Sequence, residues 1–144
     1  MEIMVEFIMY KEGDFPVDET NKMVGLPNGK ISKKGDSIYS SYNNKFIRIE
    51  TQTSIMYTTG YIETISVTEP INQIYNMLVP RRMQILESIN QYGLTSKFCI
   101  VINLTDNPEI LLSQEFVKLA AFLKAEIEFD TYLDIEKDIE ISGN

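Results

Sequence analysis

The feature that most constrains the fold is a nearly unbroken apolar run at residues 97–104, with the sequence KFCIVINL. Its length and its β-branched residues favour a strand over a helix, and consecutive apolar positions indicate a strand buried on both faces. A strand of this kind needs partners on both sides, so the run predicts an interior position in a sheet. Cys99, inside the run, is expected to act as a small buried hydrophobe rather than as a reactive thiol.

Other segments supply the rest of an α+β fold. Period-two alternation and β-branched residues predict three further strands, at residues 2–10, 45–59 and 126–134. Apolar residues at helical spacing predict helices at residues 16–24, 69–91 and 114–124. Pro80 lies inside the middle helical segment, so we expect two helices that meet there or one kinked helix. Arg81 and Arg82 follow it at a helix start, where positive charge is unfavourable, and we expect them to pair with acids elsewhere.

These elements predict the domain organisation. We expect a single α+β domain over residues 1–134, with a mainly antiparallel sheet and three or four helices packed largely on one face. Residues 135–144 are predicted to be an acidic C-terminal strand extension or tail.

Residues 26–44 are rich in Gly, Asn, Ser and Lys and predict a long irregular loop, with at most a short strand at 37–42. Lys30, Lys33 and Lys34 form a basic cluster in this loop. Such lysines commonly only solvate a loop. The alternative is that they contact an acidic partner or a phosphate group.

Composition excludes several kinds of site. The chain has no histidine and one cysteine, which excludes a Ser-His-Asp triad, a Cys-His pair, an HExxH zinc site and an internal disulfide. No pair of carboxylates stands out as a general acid and base, so we name no catalytic residue. We also expect no metal and no cofactor.

Charge narrows the choice of partner. The net charge is −8, and residues 51–144 carry six Lys or Arg against thirteen Asp or Glu. An acidic chain binds nucleic acid poorly, because phosphate contacts require Lys and Arg, whereas it attracts basic proteins. The N-terminal residues lack the features of a signal peptide, and no apolar run approaches the ~20 residues of a membrane span. We therefore predict a cytoplasmic protein that binds neither nucleic acid nor membrane.

Acids alternate with other residues in the last predicted strand. From residue 126 onwards the even positions include Glu126, Glu128, Asp130, Asp134, Glu136 and Asp138. Alternate residues of a strand share one face, so these acids form a stripe. Two interpretations remain open. The stripe protects an exposed sheet edge from aggregation, or it is a docking surface for a basic protein partner.

Four short motifs follow one another in a recognisable order, at residues 13–19, 24–26, 33–36 and 130–132. They comprise a Gly-Asp turn with a helix start, a Val-Gly-Leu helix end, a Lys-Lys-Gly-Asp loop and a closing Asp-x-Tyr. In this order they resemble a bacterial family known as domain of unknown function 4279. The resemblance spans about residues 3–133 and implies no catalytic residues. Some members of that family look like immunity-type proteins, which neutralise a toxin by binding it.

The sequence leaves two classes of function open. The first is a non-catalytic intracellular protein-binding module, of the immunity or inhibitor type, that binds a basic protein. The alternative is a small-ligand-binding or enzymatic domain that uses carboxylate, Tyr or Lys chemistry in a pocket near residues 26–44. A deep cleft with convergent polar groups favours the alternative, and an acidic surface favours the first class.

Overall fold

The structure is a computed structural model that describes residues 1–133. Within these residues the strands are β1 (Glu2–Glu12), β2 (Lys30–Ser32), β3 (Ser37–Tyr39), β4 (Phe46–Ile49), β5 (Gln52–Thr58), β6 (Ile62–Glu63), β7 (Thr95–Leu104) and β8 (Glu126–Leu133). The helices are α1 (Val17–Val24), α2 (Thr68–Leu78), α3 (Arg82–Tyr92) and α4 (Gln114–Phe122). The predicted single α+β domain is confirmed.

Six of the strands form one sheet, in the order β2-β5-β1-β7-β8, with β6 beside the start of β1. β1 is antiparallel to β5, β6 and β7. Only β7 and β8 run parallel, because α4 carries the chain back across the sheet between them. The predicted interior position of β7 is confirmed, and β8 is the strand at one edge.

The helices pack on one face of this sheet, as predicted. The single core cluster joins alternate residues of the strands, such as Val5 and Phe7 of β1, to the buried residues of the helices. Phe98 of β7 lies at its centre, with ring centroids 4.9 Å from Phe7 and 4.8 Å from Phe116 of α4. Side chains from the opposite face of the sheet do not belong to the cluster.

Pro80 divides the helical segment as predicted, and a turn of 3₁₀ helix (Val79–Arg81) joins α2 to α3. Arg81 does not pair with an acid in the way we expected. Its Nε donates a hydrogen bond to the carbonyl of Val24 at 2.6 Å, and its Nη2 donates to the carbonyl of Met23 at 3.1 Å. These are carbonyls at the end of α1, which have no partner within the helix.

Gly25 allows this contact. Its φ of 72° lies in the left-handed region that glycine tolerates, and a Cβ at this position would lie 2.8 Å from Nη2 of Arg81. The arginine thus closes the end of α1 and links it to the start of α3.

Residues 26–44 are more ordered than the predicted loop. Residues 30–32 form β2, which pairs with β5 and extends the main sheet, and Ile31 packs against the core. β3 pairs with β4 in a separate two-stranded hairpin. We call residues 33–50, which include this hairpin, the arm. The prediction of an irregular loop was therefore wrong at 30–32, whereas the short strand predicted at 37–42 is present at 37–39.

Part of the predicted acidic stripe lies outside the described residues. Asp134, Glu136 and Asp138 belong to this part, as does the predicted extension or tail at 135–144.

Candidate protein-binding face of the sheet

One face of the main sheet carries no helix within residues 1–133, and we call it the open face. It presents the even-numbered residues of β1, β5 and β8 and the odd-numbered residues of β7, because directly paired residues point to the same side. One row across three strands runs from Glu6 through Cys99 to Glu128, and the next joins Met4, Val101 and Asp130.

The centre of the open face is apolar. Met4 and Ile8 of β1 and Met56 of β5 are half-buried. In β7, Cys99 and Val101 are 8% and 5% exposed. None of these five side chains belongs to the core cluster on the helical side. The predicted burial of β7 on both faces is thus confirmed, although helices cover only one of them.

Acids lie around this apolar centre along β8, in β1 and where β6 pairs with the start of β1. They come from three strands and comprise Glu2 and Glu6 of β1, Glu63 of β6, and Glu126, Glu128 and Asp130 of β8. The sequence predicted only the acids of β8. The alternation in β1 could have identified Glu2 and Glu6, whereas Glu63 joins them only because β6 pairs with β1.

Within β8, the predicted alternation holds at the start of the strand, whereas Phe129 is 41% exposed and Asp130 is partly buried. Glu126 and Glu128 are exposed, whereas Ile127 packs against the core on the other face. The structure therefore brings Glu126, Glu128 and Asp130 together along the sheet edge. The edge position agrees with the protective interpretation and leaves the docking interpretation as a hypothesis.

Cations neutralise only part of this surface. The N-terminal amine of Met1 lies 2.6 Å from Oε1 of Glu63 and pairs with that acid. Nζ of Lys97 lies 3.1 Å from Oε2 of Glu128, and this hydrogen bond raises the pKa of Lys97. Burial raises the pKa of Glu6 above its ordinary value, Lys30 opposes that rise, and the nearby charge of Asp130 adds to it. Tyr132 donates a hydrogen bond to Oδ2 of Asp130 at 2.8 Å. The result is a surface of predominantly negative potential.

Cys99 is chemically quiet. Burial, together with the nearby charges of Glu128 and Glu6, raises the pKa of its thiol to about 11. At neutral pH the side chain is therefore a thiol, which is a weak nucleophile. Its expected role as a small buried hydrophobe is confirmed.

The three lysines predicted as loop contacts do not form one site. Lys30 lies in β2 and projects from the open face beside Met56. Lys33 lies on the helical side, where its Nζ is 2.9 Å from Oδ2 of Asp18 at the start of α1. Lys34 is exposed in the arm.

A concavity beside residues 26–44 is small. It has a volume of about 170 Å³ and is lined by the start of α1 together with Lys33. Pockets for small molecules usually have about 300–1,000 Å³. A larger groove of about 410 Å³ lies between α2 and α4, with Tyr75, Arg82, Glu115 and Lys118 on its walls. The carboxylate, Tyr and Lys side chains that the alternative function requires therefore come together on the helical layer. The predicted pocket was near residues 26–44.

Residues 1–133 contain neither a cluster of metal-binding side chains nor a membrane-spanning helix. No group of three or more His, Cys, Asp or Glu within residues 1–133 could hold a metal ion. No helix there is both long enough and apolar enough to cross a membrane.

Comparison with known proteins identifies the family. A family model described as a domain of unknown function, DUF4279, matches residues 1–134, so the chain belongs to this family. No curated protein and no solved structure matches the chain.

Proposed function

We propose that this member of the DUF4279 family is a non-catalytic protein-binding module whose open face binds a basic protein. The observation that best supports this proposal is the open face, a sheet surface that no helix of residues 1–133 covers. It has an apolar centre and acids from three strands around it. An α+β domain of this kind has two layers, and a partner lying on the open face would form a third.

The apolar centre and the acidic margin support different parts of the binding. Met4, Ile8 and Met56 offer apolar area that a partner can remove from water, which stabilises a complex. The acids attract positive charge over a distance and accelerate association. The partner surface that fits both is an amphipathic element with an apolar strip flanked by Lys or Arg.

An inhibitor or immunity-type role fits this surface. Such a protein acts by occupying its target, so it requires complementarity in charge and shape but no catalytic group. The overall charge of −8 extends the attraction beyond the contact itself. We place this role in the cytoplasm.

The alternative is a small-ligand or enzymatic function. The concavity beside residues 26–44 gives this function little support. Its volume of about 170 Å³ is below the usual range for small-molecule sites. The groove between α2 and α4 has the volume but lies on the opposite layer from the open face.

The experiment compares two variants of equal charge. In the face variant, Glu126, Glu128 and Asp130 are replaced by Gln, Gln and Asn. In the control variant, the exposed helical residues Glu19, Glu87 and Glu115 are all replaced by Gln. Partners captured from the source cell with the wild-type chain are immobilised, and association rates are measured by surface plasmon resonance at two salt concentrations.

The face variant should associate at least about tenfold more slowly than wild type at low salt, and the difference should shrink as salt rises. The control variant should stay close to wild type, because its acids lie on the other side of the molecule. Equal rates for the two variants would mean that net charge alone matters and would rule out docking on the open face.

A further inference from the structure

The arm exposes apolar residues that the other residues in the range 1–133 leave uncovered. Its large side chains are about half exposed, namely Tyr39 at 55%, Phe46 at 56%, Ile47 at 56% and Ile49 at 50%. The rings of Tyr39 and Phe46 meet edge to face, with centroids 6.2 Å apart. A two-stranded hairpin is only marginally stable alone in water, and an exposed apolar patch commonly marks an interaction site.

The arm is also basic, in contrast to the whole chain. It has four cationic side chains and two acidic ones, a net charge of +2 in a chain of net charge −8. Its two acids are occupied within the turns. Asp36 accepts a hydrogen bond from the backbone N–H of Lys33 at 2.8 Å, and Glu50 accepts from Nη1 of Arg48 at 3.3 Å. Lys34 and Lys45 are exposed and form no ion pair with another residue in the range 1–133.

The position of the apolar residues favours a protein over a lipid bilayer as the occupant. The tip of the arm, residues 40–44, is polar except for Tyr42. The apolar side chains lie along β3 and β4, where they can contact a surface lengthwise but do not lead an insertion. The arm also has the composition expected of a partner of the open face, because its exposed aromatic and apolar side chains lie beside Lys and Arg.

We propose that the arm of one copy of this chain docks on the open face of a second copy. This inference rests on the proposed function, because it uses the same face. Its support is complementarity between two surfaces of one chain: a basic apolar arm and an acidic face with an apolar centre. β2, which leads into the arm, and β8, which carries the acids, are the opposite edges of the sheet, about 19 Å apart at four strand spacings.

This arrangement joins unlike surfaces, so it does not close in a symmetric pair. Each copy in such a contact retains one unused arm or one unused face, and association continues into chains or rings. A basic partner that binds the open face displaces the neighbouring arm and dissolves the assembly. Because the contact joins opposite charges, salt weakens it.

The test uses sedimentation velocity with two complementary variants. The arm variant carries Lys45→Glu and Phe46→Ser, and the face variant carries Glu126→Lys and Glu128→Lys. All four residues are exposed, so the fold should persist, and circular dichroism checks this. A control with Leu111→Ser and Lys118→Glu makes the same kind of change at exposed residues on the helical side.

At low salt, the wild type and the control should show a mass that rises with concentration beyond two copies. Each complementary variant alone should remain a monomer of about 16.6 kDa. An equal mixture of the two should form a species of two copies and nothing larger, because the intact arm of one molecule meets the intact face of the other and the remaining surfaces are disabled.

Several results would overturn the inference. The inference is wrong if the wild type remains monomeric at low salt. It is also wrong if the mixture of the two complementary variants forms no pair. Binding of wild type, but not of the arm variant, to phosphatidylserine vesicles without self-association would assign the arm to a lipid surface instead. None of these results touches the proposed function. That proposal fails only if the variant with Glu126→Gln, Glu128→Gln and Asp130→Asn binds the basic partner as fast as its charge-matched control.

Discussion

The two faces of the main sheet are made by the same strands and have opposite characters. In β1, Phe7 is completely buried among helices, whereas its neighbour Glu6 lies on the open face and keeps a raised pKa. In β7, Phe98 and Ile100 lie in the core, and Cys99 between them does not. Burial of a strand residue therefore does not by itself place that residue in the core. The helical face stabilises the domain, and the open face is available for binding.

The largest effect is expected when a charge is placed on each face of the sheet in turn. Ile100→Asp buries a carboxylate among the helices with no partner, and we expect a loss of several kcal/mol that unfolds the domain. Ile8→Asp makes the same change on the open face, beside Lys97, and should cost only about 1–2 kcal/mol. Chemical denaturation followed by circular dichroism measures both. Equal losses in the two variants would show that the faces do not differ.

The second prediction concerns the contact of Arg81 with the end of α1. Arg81→Met keeps much of the side-chain length but removes both donors to the carbonyls of Met23 and Val24. Leaving these partly buried acceptors unpaired should cost about 1–3 kcal/mol. Arg82→Met is the matched control, because that side chain is exposed and donates only to Val79 in the adjacent turn. If both variants melt at the wild-type temperature, Arg81 does not hold α1 in place.

The third prediction uses the raised pKa of Glu6. Burial disfavours its ionised form in the folded state, so above the folded pKa the carboxylate destabilises the domain, and below the unfolded value of 4.5 this effect is absent. Glu6→Gln should therefore raise stability slightly at neutral pH, by up to about 0.5 kcal/mol. The gain should disappear as the pH falls below 4.5. Thermal unfolding at pH values on both sides tests the sign, and a gain that grows at low pH would contradict it.

Much of this architecture was predictable from local patterns. The apolar run of β7, the alternation of β8 and the break at Pro80 each appear within a few residues of sequence. These patterns are sufficient because the hydrophobic period, the length of a segment and the missing backbone N–H of proline all act on neighbouring residues. Family membership, suggested by four short motifs, was confirmed by the match over residues 1–134.

The parts that sequence could not supply depend on distant residues. β2 has three residues, which is too short for a period to emerge. The role of Arg81 depends on carbonyls 57 and 58 positions away in the chain. The acidic margin became visible only when the order of strands placed Glu2 and Glu63 beside each other. Strand order is set by tertiary packing. The acidic stripe predicted on β8 alone was therefore smaller than the acidic surface of the folded domain.

Methionine methyl groups provide the most direct test of the open face as a binding surface. Met4 and Met56 lie on the open face, Met9 lies in the core, and Met83 is exposed on α3 on the helical side. NMR spectra of a chain labelled at its methionine methyl groups are recorded while the captured basic partner is added. We predict that the resonances of Met4 and Met56 shift or broaden at the first additions, while those of Met9 and Met83 stay in place. Changes at Met83 with Met4 and Met56 unmoved would contradict the account, because the partner would then bind the helical layer.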